Sequence, residues 1–191
     1  MNLTSQLVKD LWHDITAHYH AEVADKSDSN LMGLVSTFLD GIGVMDKEDF
    51  MQRCVTTIGK SIYLPFEIGV ESNGWDLWDQ VSVGAHEVVH VRQWRDDTAG
   101  FMLKYLCSKN ARAEYEAEAY GADLELSHWL QDPLDPNELA GRLASYGLAS
   151  EYIAFAAAYL STFDDVLRQG GSTSPTAKWT IDWLVAKGVT P

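Results

Sequence analysis

Apolar residues recur at spacings of three and four from Leu3 through Leu7, Val8, Leu11, Trp12 and Ile15. That periodicity predicts a core-facing helix over residues 3–24. The stretch Asp25-Lys26-Ser27-Asp28-Ser29-Asn30 reads as a polar linker, and two further helical segments, 31–39 and 45–58, are separated around Gly41 and Gly43. The pattern changes at 61–66, where Ser-Ile-Tyr-Leu-Pro-Phe lies between Gly59 and Gly69. Aromatic and β-branched residues predict a strand there, and Pro65, which has no N–H to donate, predicts an edge position. After the break at Asn73-Gly74, helical periodicity returns over 75–95 and again over 111–129. The turn Asp132-Pro133-Leu134-Asp135-Pro136 leads into helices near 137–146 and 149–168. Residues 170–173 form a flexible joint, and Ser174-Pro175 has the form of an N-cap and first-turn proline for a last helix reaching about Lys187. The expected fold class is α+β and predominantly helical. It is a single domain over 1–191, with a small β-sheet beside helix 75–95 and a helical C-terminal portion.

Composition narrows the partners. The chain has 191 residues, 46% of them hydrophobic, which suffices for one continuous core. Its 28 acidic residues outnumber 14 basic ones, for a net charge of -14, and no Lys/Arg cluster could neutralise a run of phosphates. Nucleic acid and anionic membrane are therefore excluded as expected partners. Cys54 and Cys107 belong to no metal-ligand spacing and read as reduced thiols. Lys9, Asp10 and Asp14 interrupt the amino-terminal segment, and no apolar run is long enough to span a bilayer, so a cytoplasmic protein is expected.

Candidate chemistry centres on His86-Glu87-Val88-Val89-His90. At about 100° per residue the two imidazoles stand about 40° apart on one helix face and one turn apart along the axis, so both can reach the same ion. Glu87 points about 60° to the other side of His90, where it can meet a metal-bound water without binding the metal. Val81, Gly84, Ala85, Val88 and Val91 fall on nearly the opposite arc, which aims the histidines away from the helix's own packing face. His13, His18 and His20 have no comparable spacing; His18 and His20 diverge, and they read as surface or partly buried residues.

Two histidines need a third donor, and Glu114, Glu116 and Glu118 are available downstream. In projection Glu114, Glu118 and Glu125 share one side, as an ordinary solvated stripe would. Glu116 stands opposite, between Ala113, Ala119 and Tyr120. A carboxylate on a small-residue face is costly to bury unless paired or metal-bound, which makes Glu116 the expected third ligand, with Glu118 and Glu114 as the alternatives. The surrounding alanines would let the two helices approach closely. Asp123 lies about 20° from Glu116 in projection. It could accept a hydrogen bond from the far nitrogen of a ligating histidine, or pair with Arg112, or stay exposed.

This arrangement, the HEVVH string followed by Glu116 in a Glu-Ala-Glu-Ala-Tyr context, resembles the gluzincin type of zinc metallopeptidase. The resemblance covers about residues 60–126. Those families often continue Glu-x-x-Ala-Asp after the ligand, whereas here Ala119 is followed by Tyr120. The resemblance implies Zn2+ on His86, His90 and Glu116, with Glu87 as general base acting on a peptide or protein substrate. It also implies that residues 62–66 are an edge strand lining the cleft. Tyr120, Tyr105, His128 and Arg92 are candidates for stabilising an oxyanion, by sequence proximity. Gln93, Trp94 and Asp97 are expected to border the cleft, and Trp75 and Trp78 to wall it or to pack in the core. The competing expectation is a non-catalytic metal-binding or protein-binding module that keeps the fold, which a Glu87→Gln change would leave working.

Overall fold

A computed structural model of the chain describes residues 2–30, 32–33, 47–72, 74–98 and 100–191. Most of the expected helical segment 31–39, with Gly41 and Gly43, lies outside them. The described elements are predominantly helical with one small sheet, the α+β class expected.

Helix α1 spans Ser5–Tyr19. Thr4 caps its start through a side-chain bond from the Leu7 N–H, and His20 ends it in the left-handed region at φ 56°. The helix is shorter than 3–24 because the chain then extends into strand β1, Glu22–Asp25. Helix α2, Lys47–Arg53, likewise stops short of Ile58, and the β-branched run Thr56–Ile58 forms strand β2. Strand β3 is Ser61–Leu64. The sheet order is β1-β3-β2, with β1 parallel and β2 antiparallel to β3. β3 is thus the central strand and not the expected edge. Pro65 falls just beyond the ladder, so its missing N–H interrupts nothing.

The expected linker 25–30 also differs, because Lys26 is fully buried. Its ammonium donates to Phe50 O at 2.7 Å, Cys54 O at 2.8 Å and Thr56 Oγ1 at 3.0 Å. It also sits 3.4 Å from the Phe50 ring centroid. Burial lowers its pKa to about 8, while three oxygen acceptors and an aromatic face offset the desolvation. The side chain ties the end of α2 to β1 and β2.

Helix α3, Leu77–Asp96, begins with a reciprocal capping box between Asp76 and Asp79. It is buried along 84–91, so the histidine face is enclosed too. On one side, Val81, Val88 and Val91 join Val8, Leu11, Trp12 and Ile15 of α1, Ile62 and Leu64 of β3, and Leu184 near the carboxy terminus. A Cβ on Gly84 would lie 3.3 Å from the Trp12 ring, and the Trp12 indole N–H donates to Gln80 O at 3.0 Å. That glycine sets how closely α1 and α3 approach.

Helices α4, Phe101–Cys107, and α5, Lys109–Trp129, follow. Ala119, Ala122 and Leu126 of α5 pack on Ala85 and Val89 of α3, the task expected of Ala119, whereas Ala113 packs instead with Leu139, Ala140 and Leu160. On the far side of α5 lie α6, Pro136–Gly141, a 3₁₀ turn, Arg142–Tyr146, and α7, Ser150–Arg168. There a Cβ on Gly121 would collide with Phe163 at 2.6 Å, so α7 seats directly on the α5 backbone. Helix α8, Pro175–Ala186, closes the core against α1 and α3. The Trp183 indole N–H donates to Asp14 at 2.9 Å, Tyr19 OH donates to Pro175 O at 3.3 Å, and the His18 and Trp179 rings stack at 5.1 Å.

Glu125 corrects another expectation. Instead of lying on a solvated stripe it is buried, and it accepts bonds from the Ser172 hydroxyl at 2.6 Å and from the N–H groups of Thr173 and Ser174 at 2.8 and 2.7 Å. The carboxylate therefore organises the joint that launches α8. Glu125→Ala would leave the buried Ser174 N–H and the partly buried Thr173 N–H without their acceptor, at a cost of about 3 kcal/mol. The expected result is a thermal midpoint lower by about 6–12 °C. A midpoint within a degree of wild type by scanning calorimetry would refute this role. Among the described residues no helix is long and apolar enough to cross a membrane.

Candidate metal centre

Packing α3 against α5 brings His86 and His90 to Glu116. The three side chains offer ligand atoms that all lie within 4.8 Å of one another, the only such group among the described residues. His86 Nε2 stands 4.0 Å from Glu116 Oε2, and His90 Nε2 stands 3.8 Å from Glu116 Oε1. A tetrahedral ion with donors at about 2.1 Å spaces them by about 3.4 Å, so His86 Nε2 and Glu116 Oε2 stand about half an ångström beyond the separation of two donors on one ion. Both histidines are 7% exposed and Glu116 is 1% exposed, so the donors are nearly dry.

Each imidazole is oriented from behind. His86 Nδ1 donates to Asp123 Oδ2 at 2.9 Å, and the other Asp123 oxygen accepts from the Ser82 hydroxyl at 2.6 Å. His90 Nδ1 donates to Gln93 Oε1 at 2.8 Å. The Gln93 amide is itself fixed, because its Nε2 donates to Tyr115 O at 3.0 Å and Glu118 at 2.8 Å. With both Nδ1 atoms committed to acceptors, both Nε2 atoms face Glu116 and are the atoms a metal would take. Asp123 thus takes the histidine-holding role among those open to it. Arg112 is engaged elsewhere.

Electrostatics favour a cation here. Burial disfavours the imidazolium of His86, but Asp123, by charge and hydrogen bond, together with Glu87 and Glu116, outweighs it and raises the pKa to about 9. Glu116 Oε2 is buried with no hydrogen-bond partner, the only such side-chain atom among the described residues. An unpartnered carboxylate oxygen in the interior, 4.0 Å from His86 Nε2, is the condition that a bound cation relieves.

Asp123→Asn tests the support. Ser82 occupies one Asp123 oxygen, so an amide there would turn its NH2 toward His86 and favour the wrong tautomer. Metal affinity is expected to fall about 10–100-fold. Chelator competition measures it, and unchanged affinity would remove Asp123 from the site.

Glu87 is buried beside the triad, 5% exposed, and accepts a bond from the Thr57 hydroxyl of β2 at 2.6 Å. Its charge acts on His86, Tyr105 and Tyr146. The sheet edge beside the site is therefore β2.

The other candidates divide. Tyr120 packs its ring 5.2 Å from His86, and Tyr105 of α4 donates its hydroxyl to Glu116 Oε1. Burial, then Glu116, raises the pKa of both phenols, so both keep their protons. His128 is turned away to Asp164, at 2.7 Å, and the charge of Arg92 acts on Tyr19. Glu114 is exposed, and Glu118 serves Gln93. Trp94 lies against Gly59, and Asp97 binds Lys104 at 2.6 Å. Trp75 packs on Phe66, and Trp78 packs on Trp129 against the α1 core.

Sequence reasoning missed Tyr146. Its phenol pKa is raised well above the usual range, first by Glu116, then by burial, with Tyr120, Tyr105 and Glu87 contributing. Nothing in the local sequence of the 3₁₀ turn marks it; only the fold of α6 and α7 over α5 brings it there. Thr57 was missed for the same reason. A groove of about 450 Å³ between α1 and β1, lined by Trp12, Val23 and Phe66, contains none of these residues.

No protein-family model, curated protein or solved structure was found to match the chain.

Proposed function

We propose that the chain is a zinc-dependent hydrolase of the gluzincin type, acting on peptide bonds, with His86, His90 and Glu116 as metal ligands and Glu87 as general base. The observation that carries this reading is the placement of Glu87. A buried carboxylate that takes no part in the triad, held by Thr57 and felt by His86, suits a proton acceptor better than a structural residue. Two imidazoles and one carboxylate suit zinc, whereas calcium and magnesium would call for an all-oxygen shell.

Zinc, when bound, supplies a water of lowered pKa and a charge that polarises the scissile carbonyl. Glu87 would serve as the proton acceptor and later the proton donor to the leaving amine, its carboxylate held by the Thr57 hydroxyl. The phenols of Tyr120, whose ring packs against His86, and Tyr146 both feel the charge of Glu116 and keep their protons, which makes them candidates to donate to developing negative charge. Asp123 and Gln93 keep the imidazoles from turning.

Elemental mass spectrometry on protein purified without chelator, beside His86→Ala, tests the metal, and a mixed peptide library tests the reaction. About one zinc per wild-type chain, lost in the variant, with cleavage abolished by chelation, is the expected result. Stoichiometric iron in place of zinc would refute the zinc hydrolase. Zinc without cleavage of any peptide would leave a metal-binding module.

A further inference from the structure

Glu116 has two oxygens in different circumstances. Oε1 accepts the Tyr105 hydroxyl, whereas Oε2 is buried and unpartnered on the His86 side. Tyr105 reaches this point from α4, a different element from those that carry the ligands. Its ring is held between the His90 ring at 6.4 Å, the Phe101 ring at 5.8 Å and the Arg112 guanidinium at 5.4 Å. Arg112 also fixes the backbone behind it. Its Nε donates to Tyr105 O at 2.9 Å, one terminal nitrogen to Leu106 O at 3.1 Å and the other to Tyr146 O at 3.2 Å. One guanidinium thus joins the end of α4 to the 3₁₀ turn, in the planar fork that arginine presents and lysine cannot.

We infer that Tyr105 is a positioning residue that restricts Glu116 to binding the metal through Oε2 alone, and that Arg112 holds Tyr105 in place to do so. This rests on the metal-site reading above. The consequence is coordination number. A carboxylate free to turn can offer both oxygens and fill the position a water needs, whereas one whose Oε1 is engaged by a phenol leaves that position open. A residue on α4, outside both helices that carry the triad, would then decide whether the site is a closed structural one or an open one.

Cobalt(II) in place of zinc reports the difference directly, because its visible bands are intense in four-coordinate sites and weaken as ligands are added. Tyr105→Phe keeps the ring and removes only the hydroxyl, so a packing role predicts no spectral change. The inference predicts markedly weaker visible bands in Tyr105→Phe, with zinc affinity altered about tenfold. Arg112→Met should shift the bands in the same direction by less. This second variant decides the matter should Tyr105→Phe fail to fold by circular dichroism. Wild-type cobalt bands retained unchanged in the folded variants overturn the inference. Failure of the wild type to bind either metal overturns the metal-site reading instead.

Discussion

Glu116→Gln should abolish stoichiometric zinc, weakening binding by well over the 10–100-fold that outer partners of a metal site typically cost. It removes the only charged donor of the triad, and the oxygen it neutralises is the buried atom with no other partner. Glu118→Gln should weaken binding by less, because Glu118 acts only through Gln93, which in turn acts on His90. Equal losses in the two variants, measured by competition with a calibrated chelator, would mean that Glu116 is not the ligand.

Glu87→Gln has the second large effect and the opposite signature. The amide can still accept from Thr57, and the triad is untouched, so zinc content should stay at the wild-type level. With no carboxylate to take the proton, kcat/KM for peptide cleavage should fall by about 10²- to 10⁴-fold, the usual worth of general acid–base catalysis. Activity within a factor of three of wild type would exclude Glu87 as the base. Loss of metal in this variant would assign it a coordinating role.

The clustering of the candidate site was legible in the sequence because all of it is helical. His86, His90, Glu116 and Asp123 lie on two long helices, where spacing alone states which residues share a face. The residues that escaped reach the site through topology. Three-residue β2 is too short to show an alternation, so Thr57 was read as helix. Tyr146 sits in a 3₁₀ turn whose sequence has no period. Lys26 and Glu125 lie in polar surroundings that a linker or a solvated stripe would explain equally well. Their burial follows from carbonyls and N–H groups of distant segments, which no side-chain pattern displays. The central position of β3 turned on a single residue, because Pro65 stands just past the ladder.

The closure of the core by α8 has a consequence for how the protein comes into being. The triad belongs to the middle of the chain, yet the hydrophobic wall behind α3 is finished only when Leu184 and Val189 meet Leu11 and Trp12. Contacts between segments so far apart carry a large loop-closure entropy and form late. On a ribosome, His86, His90 and Glu116 therefore emerge well before the segment that completes the wall behind them. Metal captured by the growing polypeptide would pin α3 to α5 early and give α1 and α8 a formed surface on which to close. The supply of that metal during synthesis would then govern the yield of native protein.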